Sequence, residues 1–310
     1  MKEQIMELWK QSFGDTDDYI RLFFERAYRD DQTLVFKQNG RIVSALQILP
    51  YEMSYCGTTL TAGYICGVCT LSSERGKGLM SRLMIQALEE MGNHNFAIAV
   101  IIPASTSLFD LYRRFDFANA FDYSLEEIQS GNEPFQPRPD VNVVSHDILP
   151  PDAIYAYYRQ KQHERQCSIL HADFQFETIR QERILGGGEI WAAITNTKIA
   201  GLAFTDPVRN NTLSIREIMC DHEEIKFELV QAILDHHRLK KGTLRLPPSL
   251  PNSIPYGMAK IINKKQMIER FRTFHAPTLL PDFYNFDVIS LTQTLLKYDQ
   301  RQAQMNLMLD

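Results

Sequence analysis

The sequence has no apolar run long enough to cross a membrane. Its longest, Phe96 to Ile102, is the length of a strand, whereas a spanning helix needs about 20 residues. It has no disulfide framework either: five cysteines, an odd number, are scattered through 310 residues, which points to a reducing, cytoplasmic setting. Positive charge is not in excess. With 33 Lys and Arg against 38 Asp and Glu the formal net charge is −5, and the basic stripe of a dedicated nucleic-acid binder is missing. An acidic surface weakly favours a cationic small molecule or amine instead. The opening MKEQIMELWKQSFGD lacks the uninterrupted apolar core of a signal peptide. No Walker loop, Gly-x4-Gly-Lys-Ser/Thr, is present, and Ser81 stands where a dinucleotide fingerprint needs its third glycine.

What the chain does have is 44% apolar and 23% charged residues, enough to build a sizeable core. Apolar residues at helical spacing predict helices over 3–13 and 17–28, the second opened by Asp15 or Thr16 as N-cap. Strands are expected at 33–37 and 42–50 around Asn39-Gly40, the strongest short hairpin signal. A further hairpin is expected at 52–56 and 59–63 around Gly57, and then a separate strand at 64–70. Residues 79–91 read as a helix with Gly92 as C-cap, 96–102 as a central strand apolar on both faces, and 105–115 as a helix. The stretch from Ser130 to Asp140 concentrates Pro, Gly and polar residues and is the best linker. Beyond it, helices (152–162, 174–185), a hairpin (190–195, 199–205), a strand (213–220), a helix (222–236) and a strand (243–246) repeat the order of the first half. A strand and short helix after Pro255 and a helix capped near Ser290 follow. The closing MNLMLD is apolar up to Asp310, unusual for a chain end.

Two signals compete between Thr61 and Gly92. Arg75-Gly76-Lys77-Gly78 stands between the strand ending near Thr70 and the helix starting near Leu79. Glycines let backbone approach a ligand closely, a helix start offers unpaired N–H groups and a positive dipole end to an anion, and Arg75 and Lys77 add charge-assisted contacts. An ordinary basic surface turn has the same composition. Just upstream, Cys66-Gly67-Val68-Cys69 has the C-x-x-C spacing of redox pairs and zinc half-sites. These cysteines fall inside a strand, where residues three apart point to opposite faces, so neither a disulfide nor a metal edge is expected. His236-His237 and Cys220-Asp221-His222 also invite a metal, but adjacent helical histidines diverge and no second pair has zinc spacing. No metal is expected.

Arg75-Gly76-Lys77-Gly78-Leu79 matches the first five places of an Arg/Gln-x-x-Gly-x-Gly/Ala loop. After the 96–102 strand, STSLFDLYRRFDF is similar to a helix ending Leu-Tyr-x-x-x-Gly-Phe. On these two motifs the sequence resembles the GNAT N-acetyltransferase superfamily. It departs at Met80, in the final Gly/Ala place, and at Asp116, in place of glycine. The GYICGV strand, the loop and the doubled layout are most similar to the Eis-like branch, closely over the first 130 or so residues and in layout only from 150 to 250. The resemblance implies an α/β (α+β) fold of tandem GNAT-type mixed sheets flanked by helices. It divides the chain into a catalytic unit at 1–135, a degenerate second unit at 140–252 and a short sterol-carrier-like subdomain at 253–310.

It further implies acetyl-CoA as the donor co-substrate. The pyrophosphate would lie on Arg75, Gly76, Lys77, Gly78, Leu79 and Met80, and the pantetheine along Val68, Cys69 and Thr70, with Ser105 and Phe109 beside it. Tyr112 falls on the family's general-acid tyrosine; its plainer reading is a packed aromatic. In Eis-like proteins the C-terminal carboxylate enters the active site, which makes Asp310 the candidate base or amine anchor, with Glu52 a lesser one. The tail could equally pack on a neighbouring domain. The expected function is acetyl transfer to a primary amine of a small molecule or peptide by direct attack, with no nucleic-acid or membrane partner and self-association left open. The alternative is a non-catalytic acyl-CoA-binding or scaffold protein; a thiol-disulfide enzyme is disfavoured. In the second unit the glycine loop is replaced by the acidic DHEE at 221–224, which would repel pyrophosphate and reads as structural.

Overall fold

The computed structural model describes residues 1–131, 135–249, 251–275, 281–300 and 303–309. Local signals set its first elements. α1 (Lys2–Ser12) buries Ile5, Leu8 and Trp9, and α2 (Asp17–Arg26) buries Ile20, Phe23 and Phe24. Thr16 caps α2 by accepting from the Tyr19 amide at 3.2 Å, a contact worth about 1 kcal/mol. β1 (Thr33–Gln38) turns through Asn39 and Gly40, with φ of 49° and 77°, the left-handed pair that a type I′ hairpin needs. β2 (Arg41–Tyr55) turns through Cys56-Gly57 in the same way into β3 (Thr58–Thr70).

The hairpin at Asn39-Gly40 forms as expected, but the strands expected at 42–50 and 52–56 are one strand, unbroken at Pro50, and those expected at 59–63 and 64–70 are likewise one. Pairing with β1 ends at Gln47, and the strand that next joins this edge begins only at Glu52, so no ladder needs the missing proline N–H. α3 (Leu79–Asn93) leads from β3 to β4 (Ile98–Ile101), which lies parallel to it. Gly92 is inside α3 rather than at its cap. α4 (Thr106–Arg113) and β5 (Ala118–Gln129) complete this half.

The second half contains β6 (Asn142–Ser145), α5 (Pro151–Glu164), β7 (Ile169–Leu170), α6 (Asp173–Leu185), β8 (Ile190–Thr195) and β9 (Lys198–Thr205). β10 (Leu213–Cys220), α7 (Glu223–His236) and β11 (Lys241–Leu246) follow, with β10 and β11 parallel across the helix as β3 and β4 are. β12 (Ile254–Ile261), α8 (Lys264–His275) and α9 (Val288–Leu295) come last. The sheet runs β1-β2-β3-β4-β12-β5-β11-β10-β9-β8-β6, and β7 pairs with β2.

β5 is the seam. Residues Ala118 to Tyr123 face β12, and Ser124 to Gln129 face β11. β12 is hydrogen-bonded between β4 and β5, and α9 packs on β12 and β5. This corrects the expectation of a separate subdomain from residue 253: the strand found there closes the sheet of the first half. At the seam the buried carboxylate of Asp122 accepts from Ser253 Oγ at 2.8 Å and from the Tyr298 hydroxyl at 3.3 Å, as a buried charge requires. One apolar core lies under α1 and α2, a second under α3 and α4 on the opposite face, and a third under α7.

Candidate active site

β3 and β4 pair only from Ala62–Ile98 to Ile65–Ile101. Beyond Ile65, β3 runs on to Thr70 with only β2 beside it, so Val68, Cys69 and Thr70 lie on an open strand edge inside the sheet. A bulge accompanies the split. Cys66 opposes Gln47 and Cys69 opposes Ala45, which leaves Gly67 and Val68 both against Leu46. Gly67 has φ of 59°, and a Cβ there would stand 2.5 Å from the Trp9 ring and 2.9 Å from Gln47 Oε1. Backbone and space both demand glycine.

The extra residue also changes the alternation of side chains. Cys66 and Cys69 face the same core, beside Trp9, which corrects the expectation of opposite faces. Both thiols are unpaired. Burial raises both pKa values, that of Cys69 to about 12, so at neutral pH they are protonated and poor nucleophiles.

Between β3 and α3 the chain makes a 3-10 turn, Ser72–Glu74, and then the glycine loop. Gly76 and Gly78 have φ of 78° and 75°, and no atom lies within 4 Å of where their Cβ atoms would be. Gly78 is the N-cap of α3 and offers no side chain to the first N–H groups of the helix, which therefore look onto open space. Arg75 Nε donates to the Thr70 carbonyl at 3.2 Å. Lys77 pairs with Glu74 at 2.9 Å, an exposed contact worth about 1 kcal/mol or less, so Lys77 is able to exchange it for an anion. Leu79 is buried, and Met80 packs against the core under α3.

Tyr112 points from α4 into that same core, 5% exposed, among Leu46, Ile65, Leu83 and Ile101 at the mouth of the split. Burial raises its pKa to about 12, so the phenol is a proton donor at neutral pH. Phe109 is partly buried beside it. Ser105 is exposed at the start of α4, its Oγ 3.0 Å from that of Ser107. Asp116, the departure from glycine, takes φ of 63° as glycine would, and its carboxylate pairs with Lys260 of β12 at 3.1 Å. The substitution keeps the turn and is compensated by an ion pair.

On the opposite face of the sheet, beside the paired part of β2, lies a cleft of about 90 Å³. Arg26 and Arg29 at the end of α2, Leu49 and Tyr51 of β2, Phe174 of α6, and Leu309 line it. The tail is buried: Gln304 exchanges backbone hydrogen bonds with Cys167 and Ile169 at 3.0 Å each, and Met305, Met308 and Leu309 are in the core. The Tyr64 hydroxyl donates to the Leu309 carbonyl at 3.1 Å. Tyr64 precedes Ile65, the last residue of β3 paired with β4, so the described tail ends beside the split. Asp310 lies outside the described residues. Glu52 is exposed and does not line the cleft.

The second half keeps the split but sets charged and polar contacts beside it. β10 and β11 part after Ile215–Leu244, yet Asp221 is held by Lys161 at 2.9 Å and Tyr157 at 3.0 Å. Arg165 and Glu217 form a buried pair at 2.8 Å. His236 and His237 do not simply diverge: with Glu189 their ligand atoms lie within 4.8 Å of one another. His237 pairs with Glu189 at 2.9 Å, and Trp191 donates to the same carboxylate at 2.8 Å. Glu189 comes from a loop 47 positions earlier, so sequence spacing gave no sign of it, nor of Tyr64 or the two cleft arginines.

Residues 2–120 match the family described as acetyltransferase (GNAT) domain. No curated protein matches the sequence. Among solved structures, a probable N-acyltransferase from Enterococcus faecalis matches with a TM-score of 0.71 at 15% identity, over 87% of this chain and 72% of that one. A GCN5-related N-acetyltransferase from Anabaena variabilis matches at 0.70 and 16%, over 86% and 72%. Eis1 from Mycobacterium abscessus matches at 0.67 and 10%, over 87% and 73%. At these identities the likeness is one of fold. Residues 2–120 thus match a GNAT acetyltransferase domain, and the whole chain shares its fold with these three structures, Eis1 among them.

Proposed function

We propose that the protein transfers an acetyl group from acetyl-CoA to a primary amine by direct attack. The observation that carries this reading is the split after Ile65–Ile101, with an anion-binding loop and a protonated Tyr112 on one face and a cleft on the other. The open space around Gly76 and Gly78 and the unpaired edge at Val68 to Thr70 fit a CoA chain. Backbone N–H groups of α3, with Arg75 and Lys77, would hold the pyrophosphate. The open N–H groups of β3 would hold the pantetheine and meet the developing oxyanion.

In the reaction the amine nitrogen bonds to the thioester carbon. The tetrahedral adduct then collapses with loss of the carbon–sulfur bond, and Tyr112 gives its proton to the leaving sulfur. A carboxylate of Asp310, one residue beyond the anchored Leu309, is the proposed acceptor of the amine proton. The compensated turn at Asp116 removes one reason for a non-catalytic reading.

Release of free CoA from acetyl-CoA over a panel of amines, polyamines, aminoglycosides and peptides tests the assignment. Tyr112→Phe is expected to lower kcat by roughly 10²–10⁴ with acetyl-CoA affinity unchanged. Unaltered turnover would remove Tyr112 from its role. Acetyl-CoA binding with no turnover of any amine would favour a binding protein instead.

A further inference from the structure

We infer that the cleft receives an amine that also carries a carboxylate, in the manner of an apolar amino acid, with Arg26 and Arg29 as the carboxylate site. This rests on the cleft being the acceptor side of the acetyl-transfer reading. Among the described residues that line it, Arg26 and Arg29 are the charged ones, and both are cations. Neither is in an ion pair within 4 Å among the described residues. Among the described residues, the side-chain bond that Arg29 makes is from Nη1 to the Tyr28 carbonyl, a neutral acceptor. Glu177 on neighbouring α6 is already engaged by Arg180, through contacts of 2.7 Å and 2.9 Å. The described lining of the cleft is therefore positive, although Arg26 also feels the Glu177 carboxylate beside it and the chain as a whole is −5.

A polycationic acceptor would meet repulsion here. A carboxylate would meet two guanidinium groups suited to paired hydrogen bonds. The remaining lining suits an apolar body: Leu49, Leu309 and Phe174, the last 58% exposed. With its carboxylate at the end of α2 and its body on these residues, the amine of such a molecule is left toward Tyr64 and the split. The global charge thus misleads about the acceptor, because a few residues around the cleft set the field that it feels.

The arginines have one rival role, holding the carboxylates of Asp310. Matched ligands separate the two. Phenylalanine against phenethylamine and lysine against cadaverine differ only in the carboxylate. Their binding to the full chain is measured by ligand-observed NMR titration, with acetyl-CoA turnover followed in parallel. The carboxylate-bearing member of each pair is expected to bind at least tenfold more tightly. The Arg26→Gln/Arg29→Gln double variant, folded by circular dichroism, is expected to erase that difference while weakening phenethylamine little. The inference is overturned by equal or tighter binding of the plain amines, by no binding of either member, or by a double variant that weakens both members equally. Turnover of plain amines without carboxylate preference would leave acetyl transfer standing and sink this inference. Carboxylate-dependent binding without turnover would do the reverse.

Discussion

His171 shows how a single side chain can make the wall of the cleft sensitive to acid. It is fully buried, and its Nδ1 accepts from Gln162 Nε2 at 2.7 Å and from the Tyr158 hydroxyl at 3.1 Å. An amide NH2 can only donate, so the ring proton is on Nε2. Burial lowers the pKa from 6.5 to about 3. The folded protein therefore binds fewer protons than the unfolded chain between those values. The stabilisation is whole above pH 6.5 and is lost as pH falls toward 3, by roughly 3 kcal/mol at pH 4. Tyr51 packs edge-on against His171, with 5.5 Å between centroids, and lines the cleft, so acid should loosen the cleft wall first. Unfolding temperature measured from pH 7 to pH 4 should fall less steeply for His171→Gln than for the parent. Parallel curves would show that the imidazole is not the titrating group.

The tail is the element on which the cleft depends. Deleting Met308–Asp310 removes two buried apolar side chains, each worth about 1.5–3 kcal/mol, together with the acceptor of the Tyr64 hydrogen bond. The variant should melt earlier, retain acetyl-CoA binding through the loop on the other face, and lose amine turnover. Full turnover would remove the tail from the site. The apolar MNLMLD was readable as a burying segment because chain ends are seldom apolar. α2, the I′ turns and the glycine loop were readable too, since Thr16, Asn39-Gly40 and Gly76-x-Gly78 act on their own neighbours. β5 was not readable. Its Asn119, Asp122, Glu126 and Glu127 favour no strand locally, and its partners β11 and β12 lie more than a hundred residues away. The continuity of β2 through Pro50 and the bulge at Gly67 were hidden for the same reason: both depend on which strand lies alongside, and the spacing of Cys66 and Cys69 misled once one residue was left unpaired.

At the scale of the molecule the two halves do not divide at the linker. Residues 1–135 alone would lack β12, leaving β4 and β5 without the strand between them and Asp122 without its partners Ser253 and Tyr298. Unpaired edges and a buried carboxylate without donors are both costly. That fragment, made alone, should show no cooperative thermal transition by circular dichroism, whereas the full chain should. A sharp transition in the fragment would mean that β12 is dispensable. Insertion of β12 also orders events in time. The residues matched as an acetyltransferase domain end at 120, but the wall of the cleft proposed for the acceptor includes Leu309. At about 5–20 residues per second the ribosome needs roughly 10–40 s to make the intervening chain. Throughout that interval the nascent chain has its glycine loop but not the Leu309 wall of the cleft, so a chain released before residue 309 is expected to be silent in the acetyl-transfer assay.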